Sequence, residues 1–167
     1  MDLREKVKER DLNATNVFIA SFIAGLNELG LLNQANVLWA TRRAGRSLVE
    51  CAKIRGFLDE APSEPMERAR FLLEKLVTTL DLAVKWETRV DGDVLSIKIY
   101  KNSCKFCPKG VGGAELEGTL CPYPGMMHEY LKTIMEGTAD VELISYERVP
   151  MLQDSDGCTI SFKIKPS

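Results

Sequence analysis

Apolar residues recur with a period near 3.6 in the first half of the chain, and this spacing predicts a series of amphipathic helices. The densest run, over residues 17–29, is apolar on more than one face. This predicts a helix buried on two sides, by the core on one and by a partner subunit or ligand on the other. Two further helical patterns follow, one from Asn33 to Gly56 and one from Pro65 to Leu80. Asn33 suits the cap of a helix and Pro65 suits a first helical turn.

Near Ala83 the apolar period changes from 3.6 to 2, which predicts β-strands. The alternation over residues 83–100 is interrupted at Asp91-Gly92, a favoured two-residue hairpin turn. A helical pattern over 126–135 then precedes two more alternating patterns, over 141–149 and 158–164. The sequence therefore predicts an α+β fold with N-terminal helices packed on a four-stranded, mainly antiparallel sheet. A cysteine-rich loop and one late helix lie between the two halves of the sheet.

The chain contains no internal repeat or interdomain linker, so residues 1–167 are interpreted as a single domain. Residues 1–30 form a helical extension of this domain and are a candidate dimerisation element, which predicts a homodimer. A net charge of −2 and a pI near 5.6 provide no general basic surface, which disfavours nonspecific nucleic-acid binding. The longest strongly apolar run, Val17 to Leu26, is half the length of a bilayer-spanning helix. The charged N-terminus lacks the apolar core of a secretory signal, so we expect a cytoplasmic protein without a membrane span.

Three of the five cysteines cluster between Ser103 and Gly125, in a stretch rich in glycine and proline. Cys104 and Cys107 form a CxxC pair, and this spacing lets two thiolates reach one metal ion. Cys121 supplies a third donor to the predicted zinc site. Cys158 is the preferred fourth ligand because its parity places it on the inward face of the last strand. Two other residues are alternative fourth ligands: His128 and Glu147.

Two other chemistries use the same type of motif. An iron–sulfur cluster also takes four thiolates and remains open at this stage. A thioredoxin-like redox pair needs a helix that starts at the CxxC motif, and Pro108, Gly110, Gly112 and Gly113 disfavour that helix. No catalytic triad, phosphate loop or dinucleotide fingerprint is present, and no residue is singled out as catalytic.

Residues 30 to 165 resemble the 4-vinyl-reductase-type hydrocarbon-binding domain. This family is related to sensory domains of aromatic-responsive transcription regulators and to a palmitate-binding subunit of vesicle-tethering complexes. The resemblance is carried by the hairpin at 83–100, by CKFCPKGVGGAELEGTLCPYPG with the helix after it, and by the closing residues 146–147 and 156–162. It implies a dimeric α+β domain with an apolar pocket between helices and sheet and a zinc site beside the pocket.

In the sensory members of that family, zinc is bound by a cysteine before the late helix, a glutamate, a cysteine three residues later and a cysteine at the last strand. Cys121, Glu147 and Cys158 match three of these ligands, but Pro150 stands three residues after Glu147 and cannot bind a metal. The additional CxxC pair compensates for this departure.

The sequence thus predicts a zinc-stabilised domain that binds a small hydrophobic ligand, as a sensor or a carrier. Aromatic residues are the candidate walls of the pocket: Phe18, Phe22, Trp39, Trp86 and Phe162. The alternative is an enzyme of the vinyl-reductase type that acts on a tetrapyrrole or aromatic substrate.

Overall fold

The computed structural model of the protein describes residues 3–107, 111, 120–146 and 149–167. Six helices and five strands lie in these ranges and confirm the predicted α+β class. The helices are α1 (Leu3–Glu9), α2 (Ala14–Glu28), α3 (Gln34–Ile54), α4 (Phe57–Glu60), α5 (Pro65–Thr79) and α6 (Tyr123–Ile134). The strands are β1 (Trp86–Asp91), β2 (Val94–Tyr100), β3 (Ala139–Leu143), β4 (Leu152–Gln153) and β5 (Gly157–Pro166).

The strands form one antiparallel sheet in which β5 is central. One edge of β5 pairs with β2, which in turn pairs with β1. The other edge of β5 pairs with β4 near its beginning and with β3 near its end. The order is therefore β1-β2-β5-β3, with the two-residue strand β4 beside the same edge of β5 as β3. The sequence predicts four strands, and the short β4 is an addition.

The core lies between this sheet and the helices α5 and α6. Side chains alternate along β2 and β5, so every second residue points at the helices. Fully buried aliphatic and aromatic residues fill the interface: Leu95, Ile97, Ile160, Phe162, Leu72, Leu73, Met127 and Leu131. Helix α3 packs on the outer side of α6, in the most extensive contact between helices among the described residues.

Two glycines bring α3 and α6 close together. A Cβ atom at Gly45 would overlap the backbone oxygen of Met126 and lie 3.0 Å from the Tyr130 nitrogen. A Cβ atom at Gly125 would lie 2.5 Å from both the Leu38 oxygen and the Thr41 Oγ1. Each glycine therefore faces the backbone of the other helix, and any larger side chain would push the helices apart. The small side chains in the middle of α3 are the feature of the sequence that indicates this close contact.

The predicted hairpin forms, but its turn lies one residue later than expected. Asp91 pairs with Val94, so the two loop residues are Gly92 and Asp93. Gly92 has φ +59°, the left-handed conformation that a tight hairpin turn needs and that glycine adopts without steric cost.

The strand expected over 141–149 ends at Leu143. Ile144 still donates a backbone hydrogen bond to Ser161, at 2.9 Å. Tyr146 and Val149 then exchange two backbone hydrogen bonds of 2.8 Å, which reverse the chain. The backbone groups of Tyr146 and Val149 are therefore bonded to each other and not to β5, and the next described pairing with β5 is that of β4.

Helix α2 buries one face only. Ala20 and Ala24 are fully buried, and Ala20 packs with Leu12 and Val111. On the opposite face Phe18 and Phe22 stack on each other and are 68% and 57% exposed. Among the described residues, no helix combines the length and the apolarity needed to cross a membrane.

Candidate metal centre and ligand cavity

The four cysteines that the sequence predicts as metal ligands line one cavity of about 320 Å³: Cys104, Cys107, Cys121 and Cys158. They come from three separate parts of the chain. The CxxC pair follows β2, Cys121 precedes α6, and Cys158 lies in β5 opposite Ile99 of β2. The fold therefore brings together residues that are up to 54 positions apart in the sequence.

Backbone pairing and a buried tyrosine fix the first half of the CxxC motif. Cys104 forms an antiparallel bridge with Ala83, and the Lys105 nitrogen donates to the Leu82 oxygen at 2.9 Å. Tyr123, in the first turn of α6, donates its hydroxyl to the same Leu82 oxygen at 2.8 Å. The Cys104 thiol donates in turn to the Tyr123 hydroxyl, at 3.5 Å. Tyr123 therefore links the beginning of α6 to the cysteine motif.

Two thiols of the cavity, those of Cys104 and Cys121, have raised pKa values. A hydrogen bond with Cys107 and burial raise the pKa of the Cys104 thiol well above its usual value. Burial likewise raises the pKa of Cys121, and the nearby sulfurs of Cys107 and Cys158 add to this. Negative charges at neighbouring thiols repel one another, so Cys104 and Cys121 favour their neutral forms in the absence of a metal ion.

Among the described residues, no group of three or more histidine, cysteine, aspartate or glutamate side chains is arranged to hold a metal ion as it stands. The donor chemistry nevertheless fits zinc, because four cysteines around one cavity are the ligand set of a closed structural site.

Five apolar or aromatic side chains form one wall of the cavity beside the cysteines. Ile99 and Ile160 contribute from the sheet, Leu120 and Tyr123 from the chain around Cys121, and Met151 from the segment before β4. All five are buried. The cavity thus combines a thiol cluster with an apolar wall.

Sequence reasoning missed two buried cations next to the motif. Arg10, just after α1, is only 6% exposed and lines the cavity. Lys105 lies inside the CxxC motif, and its Nζ contacts Asp81 at 2.7 Å and Asp11 at 3.2 Å. Burial opposes the charge of Lys105, but the two carboxylates outweigh it and raise its pKa. Positions 10 and 105 look like ordinary surface charges in the sequence because only the tertiary fold buries them.

The two alternative fourth ligands are His128 and Glu147, and the structure describes only the first of them. His128 lies in another cleft, with Arg42 and Lys132, and its Nε2 contacts the Val141 oxygen at 3.2 Å. Burial lowers the pKa of this imidazole. Since His128 does not line the cysteine cavity, the arrangement favours Cys158 as the fourth ligand. Glu147 lies outside the described residues.

The five aromatic residues that the sequence predicts as pocket walls lie in different parts of the fold. Trp39 is 71% exposed on α3, and Phe18 and Phe22 are exposed on α2. Trp86 is half-buried in β1, and Phe162 is fully buried in the core. None of the five lines the cysteine cavity, whose apolar wall consists of other residues.

Comparison with known proteins gives archaeal relatives. The model of the MJ0207 family matches residues 30–164, a range that includes all four cavity cysteines. The chain is 26% identical over 129 residues to the uncharacterized protein MJ1342 of Methanocaldococcus jannaschii, which covers 77% of this chain and 100% of that protein. It is 29% identical over 93 residues to the uncharacterized protein MJ0207 of the same organism, which covers 56% of this chain and 55% of that protein. No solved structure matches the chain significantly.

Proposed function

The chain belongs to the MJ0207 family, and we propose that it is a zinc-stabilised domain that encloses a small hydrophobic ligand, as a sensor or a carrier. The observation that carries this proposal is the shared cavity, in which four cysteines from three parts of the chain meet an apolar wall. The resemblance of residues 30 to 165 to hydrocarbon-binding domains supports the same function.

Zinc would be bound by Cys104, Cys107, Cys121 and Cys158. A divalent cation removes the repulsion that keeps these thiols neutral, so binding would release their protons. Four protein ligands leave no open position for a substrate, which is typical of a structural site. The metal would fasten β5 and the beginning of α6 to the CxxC motif. We also propose a cytoplasmic location, because clustered cysteines that bind a metal are typical of a reducing compartment.

The ligand would contact the apolar wall of the cavity. The whole cavity, about 320 Å³, is at the lower end of the usual range for ligand sites, and the proposed zinc would occupy its cysteine side, so the ligand would be small. Ile99, Ile160 and Met151 offer it no hydrogen-bonding groups, whereas Asn102 and Gln153 at the same cavity do. We therefore propose a mainly apolar ligand, a hydrocarbon or small aromatic compound with few polar groups.

A tryptophan scan of two adjacent positions tests ligand binding. Met151 lines the cavity and is buried, whereas Leu152 is 47% exposed and does not line it. We expect Met151→Trp to reduce the binding of an apolar probe, such as a small aromatic hydrocarbon, by at least tenfold, since the indole occupies the cavity. Leu152→Trp should bind the probe as the wild type does. Native mass spectrometry and probe titration measure both, and equal binding by the two variants would contradict the proposed ligand site.

The alternative function, an enzyme of the vinyl-reductase type, is less well supported. The described lining contains no histidine, and its single carboxylate is Asp154. Asp154 accepts hydrogen bonds from the backbone of Asp156 and Gly157, and these contacts lower its pKa. The described cavity therefore contains neither a histidine nor a protonated carboxyl group, so a general acid would have to be a thiol, a tyrosine or a lysine, and a binding role is favoured.

The exposed face of α2 supports a proposed homodimer. Fourteen of its fifteen residues are uncharged, and Glu28 at its end is the exception, so two copies of this helix would not repel each other. Phe18 and Phe22 would meet their counterparts across a twofold axis. We expect a dimer in analytical ultracentrifugation and a shift to monomer in Phe18→Glu.

Ile54→Glu is the matched control for the dimer. Ile54 is 86% exposed at the end of α3, so the same change of charge there should leave the dimer intact. A wild type that sediments as a monomer at all accessible concentrations would refute the dimer, and this result would not bear on the proposed metal site.

A further inference from the structure

A buried arginine accompanies the cysteine cavity. Arg10 follows directly after α1, and its backbone nitrogen donates to the Lys6 oxygen at 3.0 Å. The next residue, Asp11, has φ +48°, so the chain turns sharply there. This turn directs Arg10 into the cavity that the four cysteines line.

Arg10 and Asp11 contact the first half of the CxxC motif at two points. The Arg10 Nη1 donates to the Cys104 backbone oxygen at 3.5 Å. The Asp11 carboxylate contacts the Lys105 Nζ at 3.2 Å. Leu12 packs with Val111, which belongs to the loop between Cys107 and Cys121. The connection between α1 and α2 therefore contacts the cysteine loop at Arg10 and at the two residues that follow it.

A buried cation such as Arg10 would offset the negative charge of the proposed metal site. Zinc bound by four thiolates carries a net charge of −2, and a buried anion is unfavourable without a nearby positive charge. Among the described lining residues three are charged at neutral pH: Arg10, Lys101 and Asp154. Lys101 is exposed and Asp154 contacts Lys98, so Arg10 is the buried cation of the described lining. Lys105 is also buried but does not line the cavity.

We propose that Arg10 is a positioning residue that stabilises the zinc-bound state by compensating the charge of the thiolates and by holding the Cys104 peptide. This inference rests on the proposed zinc site. Arg10 lies outside the range 30–164 that the family model matches, so the N-terminal extension contributes a part of the site that the shared region does not contain.

Zinc affinity of three arginine variants tests this role. Removal of a group that supports a metal ligand from outside the coordination sphere typically lowers affinity by about 10–100-fold. We expect Arg10→Gln, which loses the charge, to lose zinc affinity by that factor in a chelator competition. Arg10→Lys, which keeps the charge, should recover most of it. Arg4→Gln, at an exposed position of α1, should bind zinc as the wild type does.

Cobalt substitution provides a second measurement, because the thiolate charge-transfer band reports the number of bound sulfurs. We expect the band of Arg10→Gln at saturation to match that of the wild type, since all four ligands remain. Equal zinc affinity of Arg10→Gln and wild type would overturn the inference and leave the zinc site standing. Equally weak binding by Arg10→Lys and Arg10→Gln would also overturn the charge-compensating role. A wild type that binds neither metal would instead refute the proposed function itself.

Discussion

Replacing Cys121 by serine should abolish stoichiometric zinc binding and destabilise the protein, because it removes one of the four proposed ligands. A metal that binds only the folded state stabilises it by about 4 kcal/mol at a thousandfold excess over its dissociation constant. For a chain of this size that corresponds to a fall in Tm of about 8–16 °C. Thermal unfolding with and without a strong chelator measures the effect.

The matched control is Cys51→Ser, because Cys51 is exposed on α3 and does not line the cavity. Chelation should lower the Tm of the wild type and of Cys51→Ser to that of Cys121→Ser. The Tm of Cys121→Ser itself should not respond to the chelator. A chelator that leaves the wild-type Tm unchanged would contradict a stabilising metal.

Gly45→Ala should destabilise the protein by about 2 kcal/mol. Alanine gains up to about 1 kcal/mol of helix propensity over glycine, while overpacking typically costs about 1–3 kcal/mol. At Gly45 the new Cβ meets the backbone of Met126 and Tyr130, which cannot rotate away as a side chain would. The overpacking cost should therefore reach the upper end of its range and exceed the gain.

Gly25→Ala is the matched control for this change. Gly25 also lies inside a helix, but no neighbouring element among the described residues comes within 4 Å of the position that a Cβ would take, so only the propensity gain applies. Denaturant unfolding should show Gly25→Ala to be more stable than the wild type by about 0.4–1 kcal/mol. If Gly45→Ala and Gly25→Ala both stabilised the protein, or both destabilised it, that result would contradict the close packing of α3 on α6.

Local patterns were sufficient for most elements of the fold. The change of apolar period near Ala83 marks the beginning of the sheet, and alternation along β5 predicts which of its residues face the helices. The break after Leu143 was not predictable, because the alternation continues through residue 149 while the backbone bonds between Tyr146 and Val149 reverse the chain. Turn geometry, and not the side-chain pattern, decides where that strand ends.

The cysteines of the candidate site were also readable from the sequence, since CxxC spacing and the parity of Cys158 are local properties. The residues of the apolar wall could not be identified from the sequence. Phe18, Phe22 and Trp39 carry the strongest apolar signal in the helical half, yet their side chains are exposed. Ile99, Met151 and Ile160 look like ordinary core residues in the sequence, yet all three line the cysteine cavity. The role of Arg10 could not be predicted from the sequence either, because the burial of a charged side chain depends on contacts with distant parts of the chain.

Metal analysis of the purified wild-type chain tests the central claim most directly. Elemental analysis and native mass spectrometry should find one zinc ion per chain, bound with the loss of the thiol protons of Cys104, Cys107, Cys121 and Cys158. A chain that contains no stoichiometric metal under reducing conditions, or that contains iron with inorganic sulfide, would contradict a zinc-stabilised domain.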